Sequence, residues 1–195
     1  MLKLLPILLI ALLPSFAQAK PATDLVAAAR SQVGVTLQYN PAYEKLAYPG
    51  GDVPMVRGVC TDVVVRAYRK LGVDLQVLVH QDMKKAWRAY PHAQKWNLKK
   101  PDANIDHRRV PNLATFFSRH GTTVPVSKAG RDYLPGDVVT WRLPGNLTHI
   151  GIVGDKQSSA GVPLMIHNIG AGAQEEDMLF KYEVTGHYRF SPAVR

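Results

Sequence analysis

Cysteine is almost absent from this chain, because Cys60 is the only one among its 195 residues. A single cysteine excludes an intramolecular disulfide, and with it any framework of disulfides. Two interpretations remain for a lone thiol. It is either a small side chain that packs in the core or a reactive nucleophile.

Long apolar runs are also missing, except at the start of the chain. Residues 4–13 are apolar apart from one proline, with a lysine before them and an Ala-Gln-Ala sequence after them. This pattern is typical of a signal peptide, and the run is shorter than a membrane span. We therefore expect residues 1–19 to be removed and residues 20–195 to form a single exported domain, periplasmic or secreted; a retained anchor is the alternative. A free thiol in that compartment is exposed to oxidation, which favours the nucleophile interpretation of Cys60.

Acidic residues are scarce relative to basic ones, 15 against 24, which gives a formal net charge of +9. Lys3 is the only charged residue in the first 19, so the mature chain carries +8 (9 − 1). The chain has no long Lys/Arg run and no RNA-binding aromatic motif, which disfavours nucleic acid as a partner. An anionic cell-wall polymer or a membrane surface fits the charge better.

Helical periodicity dominates the first part of the mature chain, and strand-like segments follow. Helices are predicted at residues 23–33, 60–72, 79–90 and 111–121. Residues 36–58 are rich in Tyr, Pro and Gly, which indicates a long ordered loop. Strands are predicted at residues 137–141, 150–153, 164–168 and 186–190. Helices followed by antiparallel strands predict an α+β domain.

Cys60 and two histidines are the residues that we expect to come together. Cys60 stands at the start of a predicted helix, where backbone N–H groups and the helix dipole favour a thiolate. His149 begins one predicted strand and His167 ends the next, and in an antiparallel pair these ends are neighbours. A thiolate nucleophile needs a base, and the base needs an orienting partner. The sequence therefore predicts a cysteine–histidine–histidine site.

The order of these segments resembles the NlpC/P60 papain-like cysteine peptidases of bacterial cell walls. The matching segments are Cys60-Thr61-Asp62, Pro135-Gly136-Asp137-Val138-Val139, His149-Ile150-Gly151-Ile152-Val153 and Met165-Ile166-His167-Asn168. A closer resemblance, over nearly the whole mature chain, is to the DUF1287 family of exported bacterial proteins. It is carried by Tyr-Pro-Gly-Gly-Asp-Val-Pro at 48–54, Val-Cys-Thr-Asp at 59–62, Asn-Ile-Asp-His-Arg-Arg-Val-Pro-Asn at 104–112 and His-Asn-Ile-Gly-Ala-Gly at 167–172.

The resemblance implies a papain-like fold, with N-terminal helices packed on a small antiparallel sheet. It implies that Cys60 is the nucleophile, His149 the base and His167 the residue that orients the base. In that superfamily a tyrosine before the cysteine helps to bind the oxyanion; Tyr39 is our first candidate here, and Tyr43 the second. The implied activity is hydrolysis of an amide bond in peptidoglycan stem peptides, by a monomer that needs no cofactor or metal.

Six further residues are candidates for contact with a substrate, namely Asp62, Asp106, His107, Arg108, Arg109 and Asn168. Neighbouring arginines are suited to the carboxylates of an anionic ligand. A solvated loop held by local ion pairs is an equal alternative for this charged cluster. For Asp62, the simplest interpretation is that it complements the positive end of the helix.

Three alternatives for the function stay open. A zinc hydrolase would use histidines and Asp106 as ligands, but the chain has no His-Glu-x-x-His element, and zinc would leave Cys60 unexplained. A non-catalytic wall-binding or assembly protein on the same fold predicts an unreactive Cys60. An acyl hydrolase or transferase that acts on lipid predicts an apolar groove beside Cys60.

Overall fold

The computed structural model describes residues 20–91 and 97–191, and only the backbone of residues 20 and 21. The predicted signal peptide, residues 1–19, lies outside the described residues. Within the described ranges, no helix combines the length and the apolar character that crossing a membrane requires.

The helices precede the main sheet along the chain. Over the described ranges the α-helices are α1 Lys20–Arg30, α2 Cys60–Lys70, α3 Leu75–Lys85 and α4 Val110–His120. The start of α2 matches its prediction, and Gly72, with φ of 79°, follows the end of the helix.

The first and third helices differ from the prediction at both ends. The first helix ends at Arg30 instead of residue 33, because residues 31–35 form turns and Gly34 takes a φ of 77°. The helix predicted at 79–90 begins at Leu75, since the Asp74 side chain accepts a hydrogen bond from the Gln76 N–H and caps that end. It ends at Lys85, and a separate 3₁₀ turn follows at Trp87–Ala89.

The strands form one antiparallel sheet and one small parallel pair. Their bounds are β1 Gln38–Tyr39, β2 Arg57–Gly58, β3 Thr122–Thr123, β4 Val138–Leu143, β5 Leu147–Gln157, β6 Pro163–Asn168, β7 Ala173–Glu176 and β8 Glu183–Arg189. The sheet has the order β3-β8-β4-β5-β6-β7, and β1 pairs with β2. The α+β class, with helices before an antiparallel sheet, is confirmed. Strands β1, β2, β3 and β7 were not predicted.

The sheet carries a hydrophobic core on each face. On one face, α1 and α2 pack against β5 and β6, and Val64 of α2 lies in the same cluster as Ile150 and Ile166. On the other face, Trp141 and Met165 belong to a second cluster. Because side chains alternate along a strand, His149 and His167 fall on the Trp141 face, while Cys60 belongs to the helix-side core.

Candidate active site

Cys60 is the first residue of α2, and its side chain is only 3% exposed. Burial raises the pKa of the thiol to about 12, and the charge of Asp62 acts in the same direction. Hydrogen bonds from the backbone of Ile150, Thr61 and Cys60 itself lower the pKa, but burial outweighs them. The thiolate predicted from the helix position is therefore not the favoured form in the free protein.

His149 and His167 form a hydrogen-bonded pair. His149 Nε2 lies 3.0 Å from His167 Nδ1, and the two ring planes are 87° apart. Burial lowers the pKa of His149 to about 3 and that of His167 to about 4, so both imidazoles are neutral near pH 7. The rings meet where the antiparallel pairing of β5 and β6 predicts; their catalytic roles stay a prediction.

Gly151 makes room for this pair. A Cβ atom at Gly151 would lie 2.9 Å from the Ile166 carbonyl oxygen and 3.0 Å from the Cβ of His167. Any larger residue at this position would push β6 away from β5. The glycine of the His-Ile-Gly-Ile segment is thus explained by close packing against the strand that carries the second histidine.

Cys60 lines a cleft of about 210 Å³. The cleft is lined by Tyr39, Pro41, Val59, Cys60, Ile105, Arg108, Arg109, Val110, Pro111 and Thr148. It reaches Thr148, which precedes His149, and the thiol hydrogen-bonds to the backbone of Ile150, which follows it. The hydrogen bonds found among the described residues do not include one between the Cys60 thiol and the His149 ring.

Tyr39 and not Tyr43 shares the cleft with Cys60. Burial raises the pKa of Tyr39 to about 12, and the negative charge of Asp62 acts in the same direction, so this phenol stays protonated as a donor. The Tyr43 hydroxyl lies 3.0 Å from Asp102 Oδ2 and 3.1 Å from Asn104 Nδ2. The structure therefore favours Tyr39 as the tyrosine beside the thiol.

Asp62 and Arg108 form a buried ion pair beneath the cleft. Arg108 Nε and Nη2 each lie 2.9 Å from a different carboxylate oxygen of Asp62. The Val59 N–H donates to the same carboxylate at 2.7 Å, which caps the start of α2. Because the Asp62 carboxylate is fully engaged inside the protein, its observed role is to fix the helix end that carries Cys60, not to meet a substrate.

The rest of the charged cluster divides between the interior and the cleft. Asp106 is buried with a pKa raised to about 6 by desolvation, and its Oδ1 lies 3.0 Å from Arg109 Nη1. His107 is buried and does not line the cleft, and burial lowers its pKa to about 4. The Arg109 side chain lines the cleft and is 18% exposed.

Asn168 joins three strands of the site. Its Nδ2 group donates to the Gly58 carbonyl at 3.2 Å and to the Gln38 carbonyl at 3.4 Å, and its Oδ1 accepts from the Gly170 N–H. Gly58 lies two residues before Cys60, and Gln38 lies next to Tyr39. With no exposed surface, Asn168 holds the neighbours of both residues in place and does not reach a ligand.

Glu176 is a residue of the site that the sequence reasoning missed. Its Oε1 lies 3.1 Å from Nε2 of His167. It lies on β7, which was not predicted because the strand is only four residues long. The Gly-rich turn before Ala173 was the available signal, since a turn after one strand often leads into an antiparallel neighbour.

In the described ranges, no group of three or more His, Cys, Asp or Glu side chains is arranged to hold a metal ion. The features that the structure does bring together are a buried helix-start thiol, a tyrosine in the same cleft and a neighbouring pair of imidazoles. Together they are the parts of a thiol-based site.

Fold and site together define an α+β protein with a cleft-lining cysteine at a helix start and a buried histidine pair on neighbouring strands. The chain belongs to the DUF1287 family. The family model, described as "Domain of unknown function (DUF1287)", matches residues 26–190. This confirms the resemblance stated from the sequence segments. A relative in Escherichia coli (strain K12), named "Uncharacterized protein YijF", is 59% identical over 179 residues, which cover 91% of this chain and 86% of the relative.

One solved structure that this chain is similar to is titled "Structure of NlpC1 from Trichomonas vaginalis". The sequences are 17% identical, the TM-score is 0.47, and the match covers 89% of this chain. The chain spans less than half of that protein, 46% of its length.

Proposed function

We propose that this protein is an exported cysteine hydrolase that cleaves an amide bond, with peptidoglycan stem peptides as the substrate class. The observation that carries the proposal is the cleft in which the Cys60 thiol and the Tyr39 phenol lie together, next to the strand that bears His149. The resemblance of its segments to the NlpC/P60 peptidases, and the signal-like residues 1–19, support the substrate class and the compartment.

In the proposed reaction, Nδ1 of His149 takes the thiol proton while the Cys60 sulfur attacks the carbonyl carbon. A neutral thiol and a neutral imidazole require this transfer to accompany attack, because the free protein holds no thiolate–imidazolium pair. Cys60 and His149 share no hydrogen bond in the free protein, and His149 lies on the sheet face opposite the helix-side core that holds Cys60. The proposed transfer therefore requires the two side chains to meet at the start of β5, where the Ile150 backbone contacts the thiol, when substrate is bound.

Charge that develops on the carbonyl oxygen is stabilised by the Tyr39 hydroxyl and the Cys60 backbone N–H. His149 then returns its proton to the leaving amine as the C–N bond breaks, and a thioester joins the acyl group to Cys60. Water attacks the thioester carbonyl, His149 accepts a proton from that water, and the thiol is restored with release of the acid product.

Arg109 is the residue that we assign to substrate recognition. It lines the cleft beside Cys60, and its side chain is 18% exposed while Nη1 pairs with Asp106. A guanidinium of this kind suits a carboxylate on the ligand. Stem peptides carry free carboxylates, so a cation at the mouth of the cleft fits this substrate class. Arg108 also lines the cleft, but its guanidinium is enclosed by Asp62 and by the Ala42 carbonyl.

The buried, neutral thiol is also the observation that favours the second candidate, a non-catalytic wall-binding protein. The two functions are separated by incubating purified peptidoglycan with wild-type protein, Cys60→Ser and the control Gln174→Ala, which changes an exposed residue of β7. Released fragments are identified by liquid chromatography and mass spectrometry.

We expect fragments from wild type and from the control, and a loss of about a thousandfold or more in Cys60→Ser, as for removal of other catalytic nucleophiles. The fragment masses identify the bond that is cleaved. If folded wild-type protein sediments with peptidoglycan but releases no fragments, the hydrolase proposal is wrong and the binding function replaces it.

A further inference from the structure

His167 contains a buried nitrogen that needs a partner. The residue has no exposed surface, and its Nε2 atom makes no well-aligned hydrogen bond to the described residues. A buried ring nitrogen without a partner costs roughly 1–3 kcal/mol, so such a group needs an explanation. The nearby acceptor is Oε1 of Glu176, at 3.1 Å, a distance that a small rotation of the carboxylate turns into a hydrogen bond.

The register of β6 and β7 places the Glu176 carboxylate within hydrogen-bonding reach of the His167 ring. His167 lies opposite Gln174, and Glu176 lies two residues further along β7, so all three side chains stand on the same face of the sheet. Diagonal neighbours of this kind are within reach of long side chains. Glu175 points to the other face, where its carboxylate pairs with Arg30.

The carboxylate decides which nitrogen of each ring carries the proton. A carboxylate only accepts hydrogen bonds, so Nε2 of His167 must carry hydrogen. Nδ1 of neutral His167 is then bare and accepts a hydrogen bond, and the donor is the Nε2–H of His149. The reverse arrangement would put a bare Nε2 against a carboxylate oxygen, two acceptors facing each other.

We propose that Glu176 is a positioning residue that acts through His167, so that Nδ1 of His149 is the bare nitrogen available to the Cys60 thiol. The catalytic consequence rests on the proposed function. When His149 takes the thiol proton, the positive charge on its ring is stabilised through His167 by the carboxylate of Glu176. A neutral second imidazole alone supplies no such negative charge.

The first test reads the proton positions directly. Protein with ¹⁵N-labelled histidine is studied by two-bond ¹H–¹⁵N NMR, without substrate, in wild type, Glu176→Ala, Glu176→Gln and Gln174→Ala. We expect His167 in wild type to carry hydrogen on Nε2 alone. Glu176→Gln and the control keep that form, because the amide oxygen of Gln also accepts, whereas Glu176→Ala gives a mixture of the two neutral forms.

The second readout is the rate of fragment release from peptidoglycan. We expect a loss of about tenfold in Glu176→Ala and a smaller loss in Glu176→Gln, both below the factor of about 100–10,000 typical of losing a general base. Hydrogen on Nδ1 of His167 in wild type, or an unchanged Nε2–H form in folded Glu176→Ala, overturns the role of Glu176. Absence of hydrolysis by wild type overturns the proposed function alone, because the NMR result is independent of it.

Discussion

At the scale of single residues, the burial of Cys60 and its position at a helix start shift the pKa of its thiol in opposite directions. The first turn of a helix favours a thiolate, and three backbone hydrogen bonds act in that direction. Burial in the helix-side core raises the pKa of the thiol, and this effect is larger than that of the hydrogen bonds. The result is a protonated, protected thiol in the free protein. Under the proposed function, it gives up its proton only when substrate is bound, and this protection suits a reactive group exposed to oxidation.

This environment predicts how the thiol reacts with pH. Because the folded-state pKa of Cys60 lies near 12, the rate of alkylation by iodoacetamide should rise about tenfold per pH unit from about pH 7 to about pH 10. The rate is measured by intact-protein mass spectrometry. In the protein unfolded by denaturant, the increase should level off above the ordinary thiol pKa of about 8.5. A plateau in the folded protein below about pH 8 would show a preformed thiolate and contradict this description.

The same scale shows which residue roles the sequence could predict. Cys60, His149 and His167 were selected because their types and their places at element ends are visible in the sequence; the pairing of the two histidines is observed, and the catalytic roles of all three stay a prediction. The position of Asp62 at the helix start was also interpreted correctly, but its pairing with Arg108, 46 positions away, was not predictable, and neither was the contact of Asn168 with Gly58, 110 positions away. Periodicity carries no information on such contacts.

At the scale of elements, the pairing of β5 with β6 builds the site. Ile152 pairs with Ile166, and the two histidines lie further along the same strands toward the cleft. The prediction succeeded here because each strand contains a short, continuous apolar run with a histidine at one end. It failed for β7, which is short and mostly polar, and so the carboxylate behind His167 could not be found from the sequence.

The close approach at Gly151 gives a prediction for this pairing. Gly151→Ala should displace β6 and weaken the His149–His167 hydrogen bond, lowering fragment release by about tenfold or more, with a loss of about 1–3 kcal/mol in the free energy of unfolding. Ile152→Val is the matched control, because it costs about 0.5–1.5 kcal/mol on the same strand but faces the opposite core. Denaturant unfolding and fragment release are measured for both variants. Equal loss of activity in the two variants would mean that Gly151 matters only for stability.

The long loop at residues 36–58 has no periodic sequence pattern, and contacts with other parts of the chain hold it in place. Arg66 of α2 donates to the carboxylate of Asp52 and to the carbonyls of Val53 and Arg57. The sequence indicated an ordered loop from its aromatic and proline content. Its path was not predictable, since it depends on partners elsewhere in the chain: Arg66, and also Gln76, which contacts Gly51 and Ala47.

At the scale of the whole molecule, the α+β class followed from the order of helical and strand patterns along the chain. The arrangement of the sheet did not, because the order β3-β8-β4-β5-β6-β7 inserts the last strand between β3 and β4. That insertion is supported by Asp137, whose buried carboxylate lies 2.7 Å from both His187 and Arg189 of β8. Long-range polar contacts of this kind fix topology without leaving a local pattern.

The central claim is that hydrolysis proceeds through Cys60. Because Cys60 is the chain's only cysteine, methyl methanethiosulfonate modifies a single known thiol of the wild-type protein, and dithiothreitol reverses the modification. The measurement is fragment release from peptidoglycan against the fraction of modified protein, determined by mass spectrometry. We predict that release falls in proportion to that fraction and returns after reduction; undiminished release by fully modified protein would contradict the claim.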